Sequence, residues 1–494
     1  MINQDEKVVE VDIREEFASL ELEYQAKMDP KNCKMEDSPI STMSLEDMVR
    51  AITPSSDMAH PELPDMAVIE EREAANMKSG HVDCLTGEQE QKLMELWALI
   101  IELLSFIDDE ALKRSIEKKS DKRKQKQLIE TLSKNASTHS VDSISSSSSD
   151  RSQAMSGHPL SEEFWRQLAT DDPDVLLLRF LRARKWSVPD AFFMFFDAMK
   201  WRRSFGVHNL LMRGDERAIK KELLNSGKGY FYGYDKEGRL IVLLPAKLHN
   251  RYAQTLEENM AHTVLLMETG RRCMQPGVET VTLVFDLADA PMSSFDPGSM
   301  QFMIECFQSY YPESLGRCYV VNAPWIFWGF WRIIKPWLDP VVAAKIFFLE
   351  DPKQELKRFI PEEMLQGEYG GSSEYKFKYF PPEEKDYPKP IEKKDRQVIE
   401  EHLSAEKTKL IDATLHLHSL LNHGHRLFDE VRPVLDAKEL AEKWRAERKM
   451  IIVKVRSLLQ ILDESDVPPH MYRRLGLMKG DGSINWAKLA DLSH

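Results

Sequence analysis

The sequence predicts an α/β fold, with a helical subdomain first, a mixed and mainly parallel sheet second, and further helices at the C-terminal end. Three observations carry that expectation. Apolar residues keep helical spacing between Leu85 and Gly206. The period then changes to short continuous apolar runs, Arg239 to Pro245, Val281 to Asp289, Cys318 to Val321 and Ile346 to Leu349, which suit buried strands. Segments of helix length separate these runs, and strands alternating with helices make a mainly parallel sheet with right-handed crossovers.

With 494 residues, 42% of them hydrophobic, the chain is long enough for two or three domains and one sizeable core. A net charge of -14 argues against a general nucleic-acid binder, whose affinity comes from a basic surface. Five cysteines without CxxC spacing fit reduced thiols, so neither a disulfide framework nor a zinc site is expected. No run of 18 apolar residues occurs and the N-terminus lacks a signal-like pattern, so membrane contact is expected to be peripheral.

In chain order, residues 1–82 are acidic, weakly periodic and expected to be mostly disordered, with a helix conceivable near Ser44 to Ile52. Thr86 and Gln89 form a capping-box pattern, followed by Leu93, Leu96, Trp97, Ile100, Leu103, Leu104 and Ile107 on one helical stripe. Residues 113–157 are strongly basic and then serine-rich, which reads as an insertion that packs no core. Ser161 is a candidate N-cap, Asp172-Pro173 a cap with proline at N1, and a third helix follows Val188-Pro189 and stops at Gly206. Thr255 with Glu258 opens the helix between the first two strand runs, and Asp339-Pro340 and Asp351-Pro352 open two more. A proline-rich linker, 372–392, precedes the C-terminal helices of 393–494.

Between Tyr310 and Glu350 the chain concentrates its aromatics. Trp325, Trp328 and Trp331 at i, i+3, i+6 share one face of an expected helix that also holds Phe327 and Phe330. Arg332, Lys335 and Pro336 interrupt it, and an apolar length of about 13 residues falls short of the roughly 20 needed to cross a bilayer. A core helix, a lid over something apolar, and a surface that dips into a membrane interface all fit this pattern.

Catalytic patterns are missing: there is no G-x-S-x-G, no Walker A loop, no H-E-x-x-H and no dinucleotide fingerprint after a strand. His416, His418, His423 and His425 cluster, but the spacing of the first two points them to different helix faces. Asp286 and Asp289 end a strand, where turn formation competes with a catalytic role.

Taken in order, LLLRFLRARKWSVPDA, WRRSFG, YDKEGRLIV, LVFDLAD, YYPESLG, NAPW, KPWLDPVVAAKI and the closing Glu-Tyr-Gly-Gly resemble the CRAL-TRIO lipid-binding proteins, specifically fungal phosphatidylinositol-transfer proteins of the non-classical type. The resemblance spans about 83–371. It implies an N-terminal helical subdomain at 83–206, split by the insertion, and a lipid-binding domain at 207–371 whose sheet floors an apolar pocket closed by a gate helix at Trp325 to Lys335. The family's inositol-headgroup positions fall on Arg184, Glu313, Val342 and Lys345. Arg184 and Lys345 are expected to bind phosphate and Glu313 to accept from inositol hydroxyls. Val342 stands where the family has threonine, which removes a hydroxyl contact worth about 0.5 to 1.5 kcal/mol. Taken alone, an ion pair of Glu313 with Arg184 or Lys345 explains these charges equally well.

Val281 and Leu283 occupy the wall positions where choline-lipid binders carry hydroxyls. A phosphate facing them would be unpaired, at a cost of roughly several kcal/mol. The expected activity is therefore extraction and transfer of phosphatidylinositol, without covalent chemistry or a cofactor and without phosphatidylcholine. A neutral lipid, sterol or squalene, is the expected second ligand, and a transient membrane surface and a lipid kinase the expected partners. The protein is expected to be a cytoplasmic monomer, peripherally and transiently associated with membranes of the endoplasmic reticulum and endosomes. The alternative is a lipid-sensing signalling scaffold without transfer.

Overall fold

The computed structural model describes residues 80–82, 84–105, 160–325, 327–427 and 435–493. The expectations for 1–79, for the helix near Ser44 to Ile52 and for the insertion 113–157 lie outside these residues, as does Ile107.

Four helices, α1 (Gly87–Ser105), α2 (Leu160–Gln167), α3 (Pro173–Ala183) and α4 (Val188–Phe205), form the first layer. Their starts and stops follow local chemistry. Thr86 and Gln89 exchange side-chain and backbone hydrogen bonds at 3.0 and 3.2 Å ahead of α1, and the Asp172 carboxylate accepts from Asp174 and Val175 N–H at the head of α3. Gly206 ends α4 in the left-handed conformation, φ 78°. Ser161 is not a cap, because α2 begins one residue earlier, at Leu160.

The sheet has order β1-β2-β3-β4-β5: β1 (Tyr230–Tyr234), β2 (Leu240–Pro245), β3 (Val281–Asp286), β4 (Leu315–Val321) and β5 (Ile346–Phe348). β1 runs antiparallel to β2, and the remaining pairs are parallel. One face meets α5 (Leu256–Cys273), opened by the expected Thr255–Glu258 capping box, and α7 (Phe327–Ile334); α6 (Pro297–Glu305) lies between them in sequence. The short α8 (Pro340–Ala343) precedes β5, and α9 (Pro352–Phe359) covers the other face, where Phe359 stacks on Tyr319 at 5.0 Å. Asp339 and Asp351 cap α8 and α9 through Val341 and Gln354 N–H.

The C-terminal region is not an appendage. Helices α10 (Lys393–Leu427) and α11 (Leu435–Asp466) place Leu403, Leu410, Leu417, Ile452 and Val455 in the same core as Trp97, Phe164 and Phe195. Buried Arg448 of α11 grips both carboxylate oxygens of Asp174, which also accepts from the Trp97 indole at 2.7 Å. Farther on, Tyr472, Ile484 and Trp486 of the tail that ends in α12 (Trp486–Ser493) join the core of the sheet domain. The Tyr472 hydroxyl accepts from the Phe231 N–H at 3.1 Å and donates to the Phe231 carbonyl at 2.9 Å. It thereby satisfies outward backbone groups of edge strand β1 that otherwise need water or a partner strand.

A chain of buried charges ties the helical layer to α5. Arg202 of α4 donates to Glu163 at 2.8 Å and to Glu268 at 2.6 Å, while Arg271 donates to Glu268 at 2.9 Å and to Asp171 at 2.7 Å. Burial alone would raise the Glu268 pKa; Arg202 and Arg271, helped by the Tyr311 hydroxyl, hold it far below the ordinary carboxylate range.

Candidate functional site

Strand register assigns faces. Leu244, Phe285, Val320 and Phe348 form one row across β2 to β5, on the side facing α5 and α7. In a sheet covered on both faces a central-strand phenylalanine is normally sealed, yet Phe285 on β3 is only half-buried, as are Leu244 and Phe348. Solvent-sized space therefore reaches between this face and its helices. The same alternation puts Val281 and Leu283 on this side of β3, both buried, where they were expected to line the wall.

Helix α7 closes over that row. Phe327, Gly329 and Phe330 are buried; Phe330 stacks on Phe295 with ring centroids 4.2 Å apart and planes 1° from parallel. Trp328 and Trp331 are half-buried, each 4.9 Å from the Phe348 ring. Trp325 lies in a turn in which the Pro324 carbonyl accepts the Phe327 N–H at 2.8 Å and the Trp325 carbonyl accepts the Trp328 N–H at 3.4 Å, and the described helix runs Phe327–Ile334. Trp325 is left 66% exposed, and the buried edge of the lid is phenylalanine.

The carboxyl-terminal end of the lid is pinned by Gln308. Its amide donates to the Trp337 carbonyl at 3.2 Å and accepts from the Asp339 N–H at 2.5 Å, so one side chain holds the backbone between the lid and α8. Gln308 sits on a π-helical turn, Cys306–Tyr310, a wide turn that recurs at functional positions.

Of the expected headgroup residues, Glu313 and Lys345 are brought together, Nζ to Oε2 at 3.1 Å, both partly exposed. Glu313 has φ 53°, an unusual conformation for a side chain of its size. Its turn is locked on both sides: Tyr311 N–H donates to the Cys306 carbonyl at 2.7 Å, and Ser314 Oγ donates to the Tyr311 carbonyl at 2.5 Å. Val342 acts through its backbone, its carbonyl accepting the Lys345 N–H at 3.0 Å, while its side chain packs on the sheet core. Arg184 lies at the end of α3, half-buried, donating to the Ala183 carbonyl at 3.2 Å; among the described residues no hydrogen bond or ion pair joins it to Glu313 or Lys345.

Sequence reasoning missed a polar cluster at the opposite, carboxyl end of the sheet. Lys228 Nζ lies 2.5 Å from Asn259 Oδ1 and 3.3 Å from His249 Nδ1, and His249 Nε2 lies 3.3 Å from Asp296. Burial lowers the Lys228 pKa to about 8. These residues are single polar positions in four separate segments, and only the fold collects them. A cavity of about 100 Å³ beside α5, lined by His262, Leu266, Thr269, Phe231, His470 and Tyr472, is too small for a two-chain lipid, since ligand pockets run to several hundred Å³. Two candidates dissolve into local structure. Asp286 accepts from Ala288 N–H, Asn322 and Tyr369, a turn role, and His416 bonds the Asp412 carbonyl and stacks on Trp444.

An aromatic helix pinned over a partly accessible apolar row, with a charged pair at the amino end of the sheet, is the arrangement that the comparisons with known proteins bear on. Residues 224–371 match the CRAL/TRIO domain and residues 115–197 the CRAL/TRIO N-terminal domain, the latter running through the stretch read above as an insertion. The chain belongs to the CRAL-TRIO family. It is 39% identical over 270 residues to the phosphatidylinositol transfer protein CSR1 of Eremothecium gossypii, covering 53% of this chain and 62% of that one. It is 34% identical over 321 residues to the CRAL-TRIO domain-containing protein C3H8.02 of Schizosaccharomyces pombe, covering 64% and 68% respectively. The SEC14 cytosolic factor of Eremothecium gossypii is 33% identical over 219 residues, covering 41% of this chain and 70% of that one. Among the described residues no helix is long and apolar enough to cross a membrane.

Proposed function

We propose that this protein is a phosphatidylinositol carrier that performs no covalent chemistry. It withdraws the lipid from one membrane, shelters the acyl chains between the α7 lid and the row Leu244, Phe285, Val320 and Phe348, and releases the lipid at another membrane or to a lipid kinase. The observation that carries this reading is the seating of α7, Phe330 on Phe295 and Trp328 and Trp331 on Phe348, over a sheet face that stays half-open. A lipid with about thirty methylenes loses ~0.8 kcal/mol per CH₂ on entering water, so it leaves a bilayer only for equal burial. Uptake and return are then near balance, and lid opening sets the rate.

Lys345 and Glu313 recognise the inositol phosphate head, and Arg184 joins them when the lipid draws the helical layer and the sheet domain to a common ligand. Val281 and Leu283 offer no hydrogen bond to a choline-lipid phosphate, which disfavours phosphatidylcholine and leaves that wall suited to a neutral lipid such as a sterol or squalene. The protein acts as a cytoplasmic monomer that visits membranes of the endoplasmic reticulum and endosomes transiently. The test is transfer of labelled phosphatidylinositol between vesicles, together with mass spectrometry of the lipid that co-purifies. Absence of transfer refutes the carrier reading, and abundant co-purified phosphatidylcholine refutes the selectivity.

A further inference from the structure

The two most exposed large apolar side chains among the described residues are both aromatic, Tyr252 at 70% and Trp325 at 66%. They stand at opposite ends of one line of contacts. Arg251, next to Tyr252, donates its backbone N–H to the Ser293 carbonyl at 2.9 Å and its guanidinium to the Phe295 carbonyl at 3.4 Å. Ser294 Oγ ties the same segment back to the His249 carbonyl at 2.9 Å. Phe295 is the ring on which lid residue Phe330 stacks, and it also lies 6.5 Å from Phe327, two residues after Trp325.

The segment that carries Tyr252, residues 246–256, runs from a 3-10 turn, Ala246–Leu248, to the first residue of α5 and has two more exposed apolar side chains, Leu248 at 44%, next to Lys247, and Leu256 at 43%. Three large apolar groups in so short a segment, with exposed Lys247 beside them, are poorly suited to water and well suited to a bilayer interface. There tyrosine and leucine enter the headgroup boundary while lysine reaches the phosphates. Of the two acids that follow, Glu258 is held by Lys220 at 2.5 Å, and Glu257 lies at the head of α5. Arg332 and Lys335 repeat the pairing of cations with aromatics on the exposed side of the lid.

We propose that loop 246–256 is a second bilayer-inserting element, and that embedding it draws Phe295 from under Phe330 and so unlatches the lid. The lid then opens where a membrane is present and stays shut in water, because the contact that holds it is anchored to the loop that senses the bilayer.

This inference rests on the carrier reading, and the experiment separates the two. The full chain is mixed with phosphatidylcholine vesicles, with and without phosphatidylserine. Vesicle sedimentation, amide exchange of residues 327–334 and phosphatidylinositol transfer are measured in parallel. In the double variant Leu248→Ser, Tyr252→Ser the vesicle-bound fraction is expected to fall on the order of tenfold, and the lid amides to stay protected when vesicles are added. In Phe295→Ala the lid amides are expected to exchange rapidly without vesicles while vesicle binding is retained; Phe295→Leu, which keeps most of the volume, shows the same change more weakly. If wild type transfers phosphatidylinositol and the double variant binds and opens as wild type does, the loop inference is overturned. So is the latch if lid protection in both Phe295 variants matches wild type. If wild type binds vesicles through the loop but transfers nothing, the carrier reading fails instead.

Discussion

The Tyr472 hydroxyl holds both the N–H and the carbonyl of Phe231, a residue 241 positions earlier in the chain. One phenol thus replaces the strand that would otherwise pair with β1. Tyr472→Phe keeps the ring against Trp486 and removes only the hydroxyl, leaving two buried backbone groups without partners. The expected loss is about 3 kcal/mol of stability, read from urea unfolding.

Lys345 and Glu313 form a partly exposed pair, so their contribution to stability is expected to stay under about 1 kcal/mol. Their contribution to ligand binding is larger, since a charge-assisted hydrogen bond to phosphate is worth about 1.5 to 3 kcal/mol. Lys345→Ala is therefore expected to lower phosphatidylinositol transfer by about ten- to a hundredfold with an unchanged melting temperature. Transfer at the wild-type rate removes Lys345 from the site. Arg184→Ala, measured separately, tests whether the unjoined arginine reaches the headgroup once lipid is bound.

Gln308 clamps the backbone on both sides of Leu338. Gln308→Ala removes two hydrogen bonds, about 1 to 2 kcal/mol together, from the closed lid. Faster amide exchange over residues 335–339 and a several-fold faster release of bound lipid are expected, with a loss of at most about 2 kcal/mol in equilibrium unfolding.

His262 is 6% exposed, and burial, reinforced by the positive charges of Lys228 and His249, lowers its pKa from 6.5 to about 3. Between those two values the unfolded chain binds a proton that the folded chain refuses. Stability therefore falls as pH drops through that window, by about 1.4 kcal/mol per pH unit once well below 6.5. His262→Gln is expected to flatten this dependence in denaturation series run between pH 7 and pH 5. An unchanged slope assigns the acid sensitivity elsewhere.

Much of the architecture was legible because its signals are local. Asp-Pro and Thr-x-x-Glu mark helix starts through bonds made within four residues, and continuous apolar runs mark β2, β3 and β5. β4 proved longer than its apolar run: buried Arg317 interrupts the pattern but is paired with Glu237 at 2.8 Å, a partner in another segment. The aromatic stretch from Trp325 was legible as a helix, while the burial that separates half-buried Trp328 and Trp331 from exposed Trp325 depends on partners such as Phe348 in another segment. The C-terminal helices were legible as helices, but not their roles, a Tyr472 hydroxyl on β1 and an Arg448 guanidinium on Asp174, because each involves one side chain and a partner hundreds of residues away. Motif order singled out Glu313 and Lys345, which the fold brings into one ion pair, while the Lys228, His249 and Asp296 cluster and the Gln308 clamp exist only in three dimensions.

The interlocked charges between α4 and α5 determine which wall of the chamber is able to yield. Glu268 answers to two arginines at once, and Arg271 reaches across to Asp171, so swinging α5 away from the helical bundle would strand several ions in a dry interior. The α5 side is thus a fixed jamb. In the proposed carrier, a lipid would pass on the opposite side, where aromatic stacking and a single amide clamp are the restraints, and these give way at far smaller cost.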